Sequence, residues 1–139
     1  MVDFLLIGDF MELEIGIKKE MEFTVREEDT ASFLGSGDVS VVSTPAMISM
    51  MENTSRLLVQ EKLPEGYTTV GTHVDISHLK AAPLGAKIIV RSKLIKQEGR
   101  KLLFKVEAFW KDAKIGEGTH ERFIVNREKF LKKLRNSLA

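Results

Sequence analysis

Hydrophobic and polar residues follow two different periods along this chain, and the change of period marks the elements. Met21, Phe23 and Val25 are apolar and alternate with polar residues, which is the period of a half-buried strand. From Ala46 to Leu58 the apolar residues fall on more than one side of a helix, without glycine or proline among them. The pattern predicts a strand followed by a long, well-covered helix.

The ends of this helix carry recognisable signals. Ser43 or Thr44 can cap its N-terminus, because a hydroxyl oxygen accepts from the free N–H groups there. Pro45 suits the first helical position, where its missing N–H costs nothing, and the Leu-Pro-Glu-Gly run at 63–66 ends the helix. The preceding residues 27–42 are rich in Ser, Gly and Asp, which predicts a loop that forms a lid or pocket wall.

After the helix the two-residue period returns and predicts four more strands. Short turns join most of them, which favours antiparallel neighbours. Asn126 can cap a closing helix with four apolar residues at helical spacing. A sheet wrapped around one central helix buries both elements, so we expect an α+β, hot-dog arrangement with a C-terminal helix. The strands centre on Val70–His78, Ile88–Leu94, Leu102–Trp110 and Ile115–Val125.

Composition places the chain among globular proteins. Its 139 residues predict one domain spanning 1–139, and 43% of them are hydrophobic and 29% charged. The net charge of +1 disfavours a nucleic-acid partner. The cluster Lys129, Lys132, Lys133 and Arg135 is typical of a solvated helix face. An open edge strand invites pairing, so we expect a homodimer or larger homo-oligomer.

The absence of cysteine excludes disulfides and thiolate chemistry and suits the cytoplasm. Val2 to Phe10 lacks a basic start and a cleavage site, so it does not resemble a signal peptide, and it is too short to span a bilayer. We expect it to be a short helix or an arm packed on the domain or a partner subunit. The expectation is a soluble cytoplasmic protein without a membrane partner.

Two residues of the helix are candidates for chemistry. Thr44 lies where the positive end of a helix dipole can stabilise an oxyanion, although it can also be only a cap. Glu52 follows Met50 and Met51, and a carboxylate on a buried helix suits base work. Its alternative is an exposed ion pair with Arg56 at the i,i+4 spacing.

The strand after the helix contributes two histidines. Val70, Thr72, Val74, Ile76 and His78 share one parity, so His78 faces the apolar side and lies at a strand end. His73 lies five residues earlier and faces the other way. A lone strand histidine is more often structural than catalytic, and the opposed faces disfavour a metal site formed by the pair.

The last strand contributes an arginine and two glycines. Gly116 and Gly118 indicate a bulge or a close approach by ligand or backbone. Arg122 can bind a phosphate or carboxylate through its planar fork, or form an ordinary cross-strand pair with an acid. His120, on the same strand, is a candidate for a supporting role.

Four separated segments resemble, in order and spacing, the fluoroacetyl-CoA-specific thioesterase-like family, which are hot-dog acyl-CoA thioesterases. The resemblance covers most of the chain from about residue 20 onward. The segments are Thr44 to Glu52, Gly71 to Ala82, Glu98 to Leu102 and Ile115 to Arg122.

The resemblance implies hydrolysis of an acyl-CoA thioester to free acid and coenzyme A. We expect no metal and no other cofactor. It implies Thr44, Glu52 and His78 as catalytic residues, Gly71 as a donor to the thioester carbonyl and Arg122 near the substrate. It also implies a homodimer with active sites at the subunit interface.

One segment departs from the family. Residues 33–38 read Phe-Leu-Gly-Ser-Gly-Asp, where the fluoroacetyl-specific enzyme has a lid with bulky phenylalanines. We therefore expect a broader or different acyl group. Two alternatives stay open: a hot-dog hydratase acting on an enoyl-CoA, and a non-catalytic acyl-CoA-binding protein.

Overall fold

The structure, a computed structural model, describes residues 5–7 and 10–138, with side-chain surroundings from residue 12 onward. Short strands β1 (Leu5–Ile7) and β2 (Phe10–Glu12) form an antiparallel pair. The predicted short N-terminal helix is therefore wrong where the structure describes this segment, and an arm packed on the domain or a partner stays a prediction. The rest of that segment lies outside the described residues. The later strands are β3 (Lys18–Thr24), β4 (Tyr67–His78), β5 (Lys87–Glu98), β6 (Lys101–Trp110) and β7 (Ala113–Asn126).

Strands β3 to β7 form one antiparallel sheet in the order β3-β5-β6-β7-β4. Two-residue turns join β5 to β6 and β6 to β7, as the short polar breaks predict. Strands β4 and β5 follow one another in sequence but are not neighbours, because β4 lies at the far edge beside β7. The sheet thus has two edge strands, β3 and β4.

Helix α2 (Thr44–Gln60) packs across one face of this sheet and contacts all five strands. Its buried side begins with Met47 and Met51 and continues to Leu58 and Val59, each at most 4% exposed. Burying one such side chain stabilises the fold by about 1.5–3 kcal/mol, so packing on the sheet holds α2 in register. The central covered helix that the sequence predicts is confirmed.

The loop between β3 and α2 is ordered by backbone pairing. The loop contains a 3₁₀ turn (Glu27–Asp29) and the single helical turn α1 (Ala31–Leu34). Thr30 forms an antiparallel β-bridge with Val42. Three of its apolar residues face outward: Phe33, Leu34 and Val39 are 63%, 47% and 61% exposed.

Helix α3 (Arg127–Ser137) follows β7, and the Asn126 side chain caps it by accepting from the Lys129 N–H. The predicted cap and the solvated basic cluster are both present. The apolar face is not buried, because Phe130, Leu131, Leu134 and Leu138 are 37–87% exposed. None of the helices in the described part of the chain is long and apolar enough to cross a bilayer.

Candidate active site

The N-terminus of α2 separates two neighbouring hydroxyls into different roles. Ser43 is the cap, because its Oγ accepts from the Ala46 N–H at 3.0 Å. Thr44 is the first helical residue, and its Oγ1 lies 2.8 Å from Nδ1 of His78 at the end of β4. The interpretation of Thr44 as only a cap is therefore wrong, and its hydroxyl is available for chemistry.

His78 is a half-buried imidazole with one side engaged. Its Nδ1 contacts the Thr44 hydroxyl, while its Nε2 is buried and has no hydrogen-bond partner within the part of the chain described. When Thr44 donates to Nδ1, the imidazole can take up that proton, as a general base does. His73 lies on the other side of the strand with an exposed side chain, as its spacing predicts.

A bulge in β4 decides which of its residues face α2. The pairing of β4 with β7 shifts register between Gly71 and His73, so Thr72 is an extra residue there. Side chains before and after a bulge no longer alternate in one pattern. The prediction that Val70, Thr72 and His78 lie on one face of the strand is therefore wrong. Gly71 faces the helix together with His78.

Gly71 lies where three polar side chains converge. A Cβ built on Gly71 would lie 3.0 Å from Glu52 Oε2, 3.3 Å from His120 Cε1 and 3.4 Å from Arg122 Nη1. The missing side chain leaves room for a carboxylate, an imidazole edge and a guanidinium beside one stretch of backbone. We call Glu52, Gly71, His120 and Arg122 the arginine cluster.

Arg122 is 6% exposed and held by neutral acceptors. Its Nε donates to Thr69 Oγ1 at 2.7 Å, its Nη2 to the Thr69 carbonyl at 2.9 Å, and its Nη1 to His120 Nε2 at 3.1 Å. Burial holds the pKa of Arg122 below its usual value, and the charge of Glu52 acts against that shift. The alternative of a simple cross-strand pair with an acid does not describe this residue.

Glu52 is half-buried on α2 and does not form the helix-surface pair that its spacing allows. Arg56 Nη2 donates instead to Asn53 Oδ1 at 3.2 Å, and no Glu52–Arg56 ion pair within 4.0 Å occurs among the described residues. Glu52 and Arg122 both reach a groove of about 660 Å³, a size typical of small-ligand sites. The groove is also lined by Phe23, Arg26, Ala46, Ser49, Met50, Asn53 and Arg56.

The structure brings the predicted residues together in two groups. Thr44 and His78 form one pair, and Glu52, Gly71 and Arg122 meet in the arginine cluster. Thr44 and Glu52 are eight residues apart on α2, a rise of about 12 Å. Within the described residues no hydrogen bond or ion pair joins Glu52 to the pair, so the structure does not confirm a bonded Thr/Glu/His constellation.

Two glycines of β7 mark close approaches, as predicted. A Cβ on Gly116 would meet the Met47 side chain, and one on Gly118 would overlap the Asp75 carbonyl oxygen of β4. His120 is buried in the arginine cluster, whereas the sequence analysis gave it only a supporting role. It shares parity with Arg122 and Ile124, so its inward face could have been found. Across the described residues, no three His, Asp or Glu side chains form a group able to hold a metal ion.

The fold and this site define a class, the hot-dog thioesterases. A thioesterase superfamily member from Thermus thermophilus aligns with a TM-score of 0.83 at 29% identity, over 90% of this chain and 93% of its own. A hot-dog-like protein from Thermanaerovibrio acidaminovorans, at 22% identity and a TM-score of 0.83 over 90% of this chain and 93% of its own, supports the fold alone. The predicted hot-dog fold is confirmed.

Residues 25–128 match the family described as FlK, fluoroacetyl-CoA-specific thioesterase, and the chain belongs to this family. The fluoroacetyl-CoA thioesterase of Streptantibioticus cattleyicolor is 35% identical over 95 residues, 68% of each chain. A variant of FlK crystallised with fluoroacetate and CoA aligns at 29% identity with a TM-score of 0.80, over 85% of this chain and 99% of its own. The chain is an enzyme, an acyl-CoA thioesterase.

Proposed function

We propose that this enzyme hydrolyses an acyl-CoA thioester to free acid and coenzyme A, using Thr44, Glu52 and His78 as catalytic residues. The observation that carries the assignment is the 2.8 Å contact between Thr44 Oγ1 and His78 Nδ1 at the start of α2. A hydroxyl bonded to an imidazole at the positive end of a helix can orient a water or an acyl group and pass on its proton.

The reaction needs a bond from water oxygen to the acyl carbon, cleavage of the C–S bond and a proton for the departing sulfur. Glu52 acts as base toward that water, or as the nucleophile that water later displaces. His78 carries the proton to the sulfur, and the Gly71 N–H holds the carbonyl oxygen as charge develops on it. Arg122 lies beside this position and adds positive charge.

We also propose a homodimer in which each active site uses both chains. β4 is an edge strand, and its residues from Gly71 to Asp75 are exposed. Two copies can pair β4 antiparallel about a two-fold axis near Asp75. His78 then lies opposite Thr72 of the partner subunit, so the Thr44–His78 pair approaches Glu52 of the partner subunit. Glu52 of the same chain lies two turns further along α2 than Thr44.

Mixing two inactive variants tests this shared site. Thr44→Ala and Glu52→Ala homodimers are each expected to lose activity, and the mixed dimer regains one intact site of two. After random subunit exchange the mixture should reach about a quarter of wild-type activity. If both residues served one site from the same chain, the mixture would stay inactive, and a monomer by light scattering would also overturn the shared site.

The relatives act on a fluoroacetyl-CoA-type substrate. We propose that this enzyme accepts a broader range of acyl groups. Residues 35–38 carry Gly, Ser, Gly and Asp, and Phe33 is 63% exposed, so bulky aromatics do not close this segment over the site. We expect the kcat/KM values for fluoroacetyl-CoA and acetyl-CoA to differ less than in an enzyme whose lid closes tightly over the acyl group.

A panel of acyl-CoAs with thiol detection tests the activity. Thr44→Ala, Glu52→Ala and His78→Ala should each lower turnover by roughly 10²-fold or more. Ser137→Ala, an exposed hydroxyl on α3 away from the groove, is a control expected to keep turnover. No cleavage by wild type, or variants that cleave as fast as wild type, would sink the proposal. Loss of enoyl absorbance without thiol release would favour a hydratase, and binding without turnover an acyl-CoA-binding protein.

A further inference from the structure

His120 is the most enclosed titratable residue of the site, with 1% of its surface exposed. Its ring stacks on Phe104, with ring centroids 6.3 Å apart. Its Nδ1 lies 2.9 Å from the His73 carbonyl oxygen, and its Nε2 lies 3.1 Å from Arg122 Nη1. Both ring nitrogens are therefore engaged, and the reaction described above uses neither.

The two partners fix the protonation of this ring. The His73 carbonyl can only accept, so Nδ1 carries the proton, and the Arg122 guanidinium can only donate, so Nε2 is the acceptor. A protonated His120 would place two donors against each other at Nε2. The geometry thus requires a neutral imidazole with its proton on Nδ1.

The ring completes the attachment of Arg122. Thr69 accepts from Nε and Nη2, and His120 accepts from Nη1. Nη1 is the guanidinium nitrogen nearest to the space at Gly71 where Glu52 Oε2 also lies. Further donors remain on Nη1 and Nη2, so the orientation that His120 imposes decides where the remaining N–H on Nη1 is aimed.

We propose that His120 is a positioning residue: as a neutral acceptor it holds the Arg122 guanidinium beside Glu52 and Gly71, where the thioester reacts. This inference rests on the proposed function. The groups that face His120 are Arg122 on its own strand, Glu52 on α2 and the His73 carbonyl on β4. Glu121 lies next to it in sequence, and its charge also acts on the ring.

Two amide substitutions separate the two bonds of the ring. In His120→Gln the longer side chain keeps an acceptor for Arg122, whereas the shorter His120→Asn keeps only a donor for the His73 carbonyl. We expect kcat to fall about tenfold or more in His120→Asn and clearly less in His120→Gln, with KM less affected. Lys105→Gln, an exposed change on β6 outside the arginine cluster, is the control and should leave kcat unchanged. Equal losses in both His120 variants would overturn the proposal.

A double-mutant cycle shows whether His120 acts through Arg122. Arg122→Lys removes the planar fork, so His120→Asn should cost little more in that background. Losses that multiply independently would overturn the inference alone. A wild type that cleaves no acyl-CoA would overturn the proposed function, and with it the role of His120 in hydrolysis.

A measurement independent of activity tests the tautomer. Nitrogen-15 spectra of the three histidine rings, assigned with His73→Gln and His78→Ala, should show the His120 ring neutral and protonated on Nδ1. Because burial holds the pKa of His120 below its ordinary value of 6.5, this ring should keep that state between pH 7 and 8. A proton on Nε2, or a His120 ring protonated on both nitrogens at pH 7, would overturn the proposal.

Discussion

Gly71 and His78 lie seven residues apart on one strand, yet both face the same helix. Gly71 lies against Glu52 of α2, and His78 bonds Thr44 at the start of α2. In a regular strand an odd separation places residues on opposite faces. The register shift at Thr72 removes that opposition, so this bulge allows one edge strand to supply both groups of the site.

The space at Gly71 should be sensitive to one added methyl group. In Gly71→Ala the new Cβ lies 3.0 Å from Glu52 Oε2, and because flexible side-chain ends can move, the protein should still fold. The displaced carboxylate should lower kcat roughly 10²-fold, since a shift of about 1 Å in a reacting group has that effect. Acyl-CoA kinetics combined with urea unfolding check this. Unchanged kcat would show that Glu52 does not act at Gly71.

Substitutions at the adjacent hydroxyls of Ser43 and Thr44 should affect stability and turnover separately. Ser43→Ala removes the cap of α2 and should lower the free energy of unfolding by about 1 kcal/mol, while kcat changes little. Thr44→Val keeps the shape of an exposed side chain and should change stability by less than about 0.5 kcal/mol, while kcat falls. Thr44→Ser should recover most of the lost turnover. Reversed effects would assign the cap to Thr44.

The sequence predicted the elements that depend on period and on end signals. The strand alternation, the long helix, the cap at Asn126 and the hot-dog arrangement came from apolar spacing, and the family resemblance supplied the candidate residues. The bulge at Thr72 left no such signal, because an extra residue in a strand does not change composition. The exposure of the α3 apolar face was not predicted. The spacing of apolar residues shows that a helix has an apolar face, but not whether another element packs against it.

The stability of the protein should fall in mild acid because of His120. Burial, together with the Arg122 charge, holds the pKa of His120 below its ordinary value of 6.5, although the His73 carbonyl and Glu52 act the other way. The unfolded chain therefore binds the proton more readily, and the free energy of unfolding rises with pH. It should decline as pH falls below about 6.5, by at most about 1.4 kcal/mol per pH unit from this group.

Urea unfolding between pH 5 and 8 measures this slope. His120→Gln removes the titrating ring, so its stability should depend less on pH over the same range. An identical slope in wild type and His120→Gln would assign the pH dependence to other groups.

The two glycines of β7 should respond differently to alanine. At Gly116 the added methyl meets Met47 Cε and Sδ, which can move, so Gly116→Ala should lower the free energy of unfolding by about 1–2 kcal/mol. At Gly118, where φ is +157°, it overlaps the Asp75 carbonyl oxygen, and backbone in a paired strand cannot yield without breaking the pairing of β4 with β7. Gly118→Ala should therefore lower the free energy of unfolding by about 3 kcal/mol or more.

Because Asp75 lies between Gly71 and His78, Gly118→Ala should also lower kcat, even at temperatures where the variant is folded. Thermal unfolding and kinetics on both variants check this, and equal costs would show that the β4–β7 pairing can shift to accept a side chain.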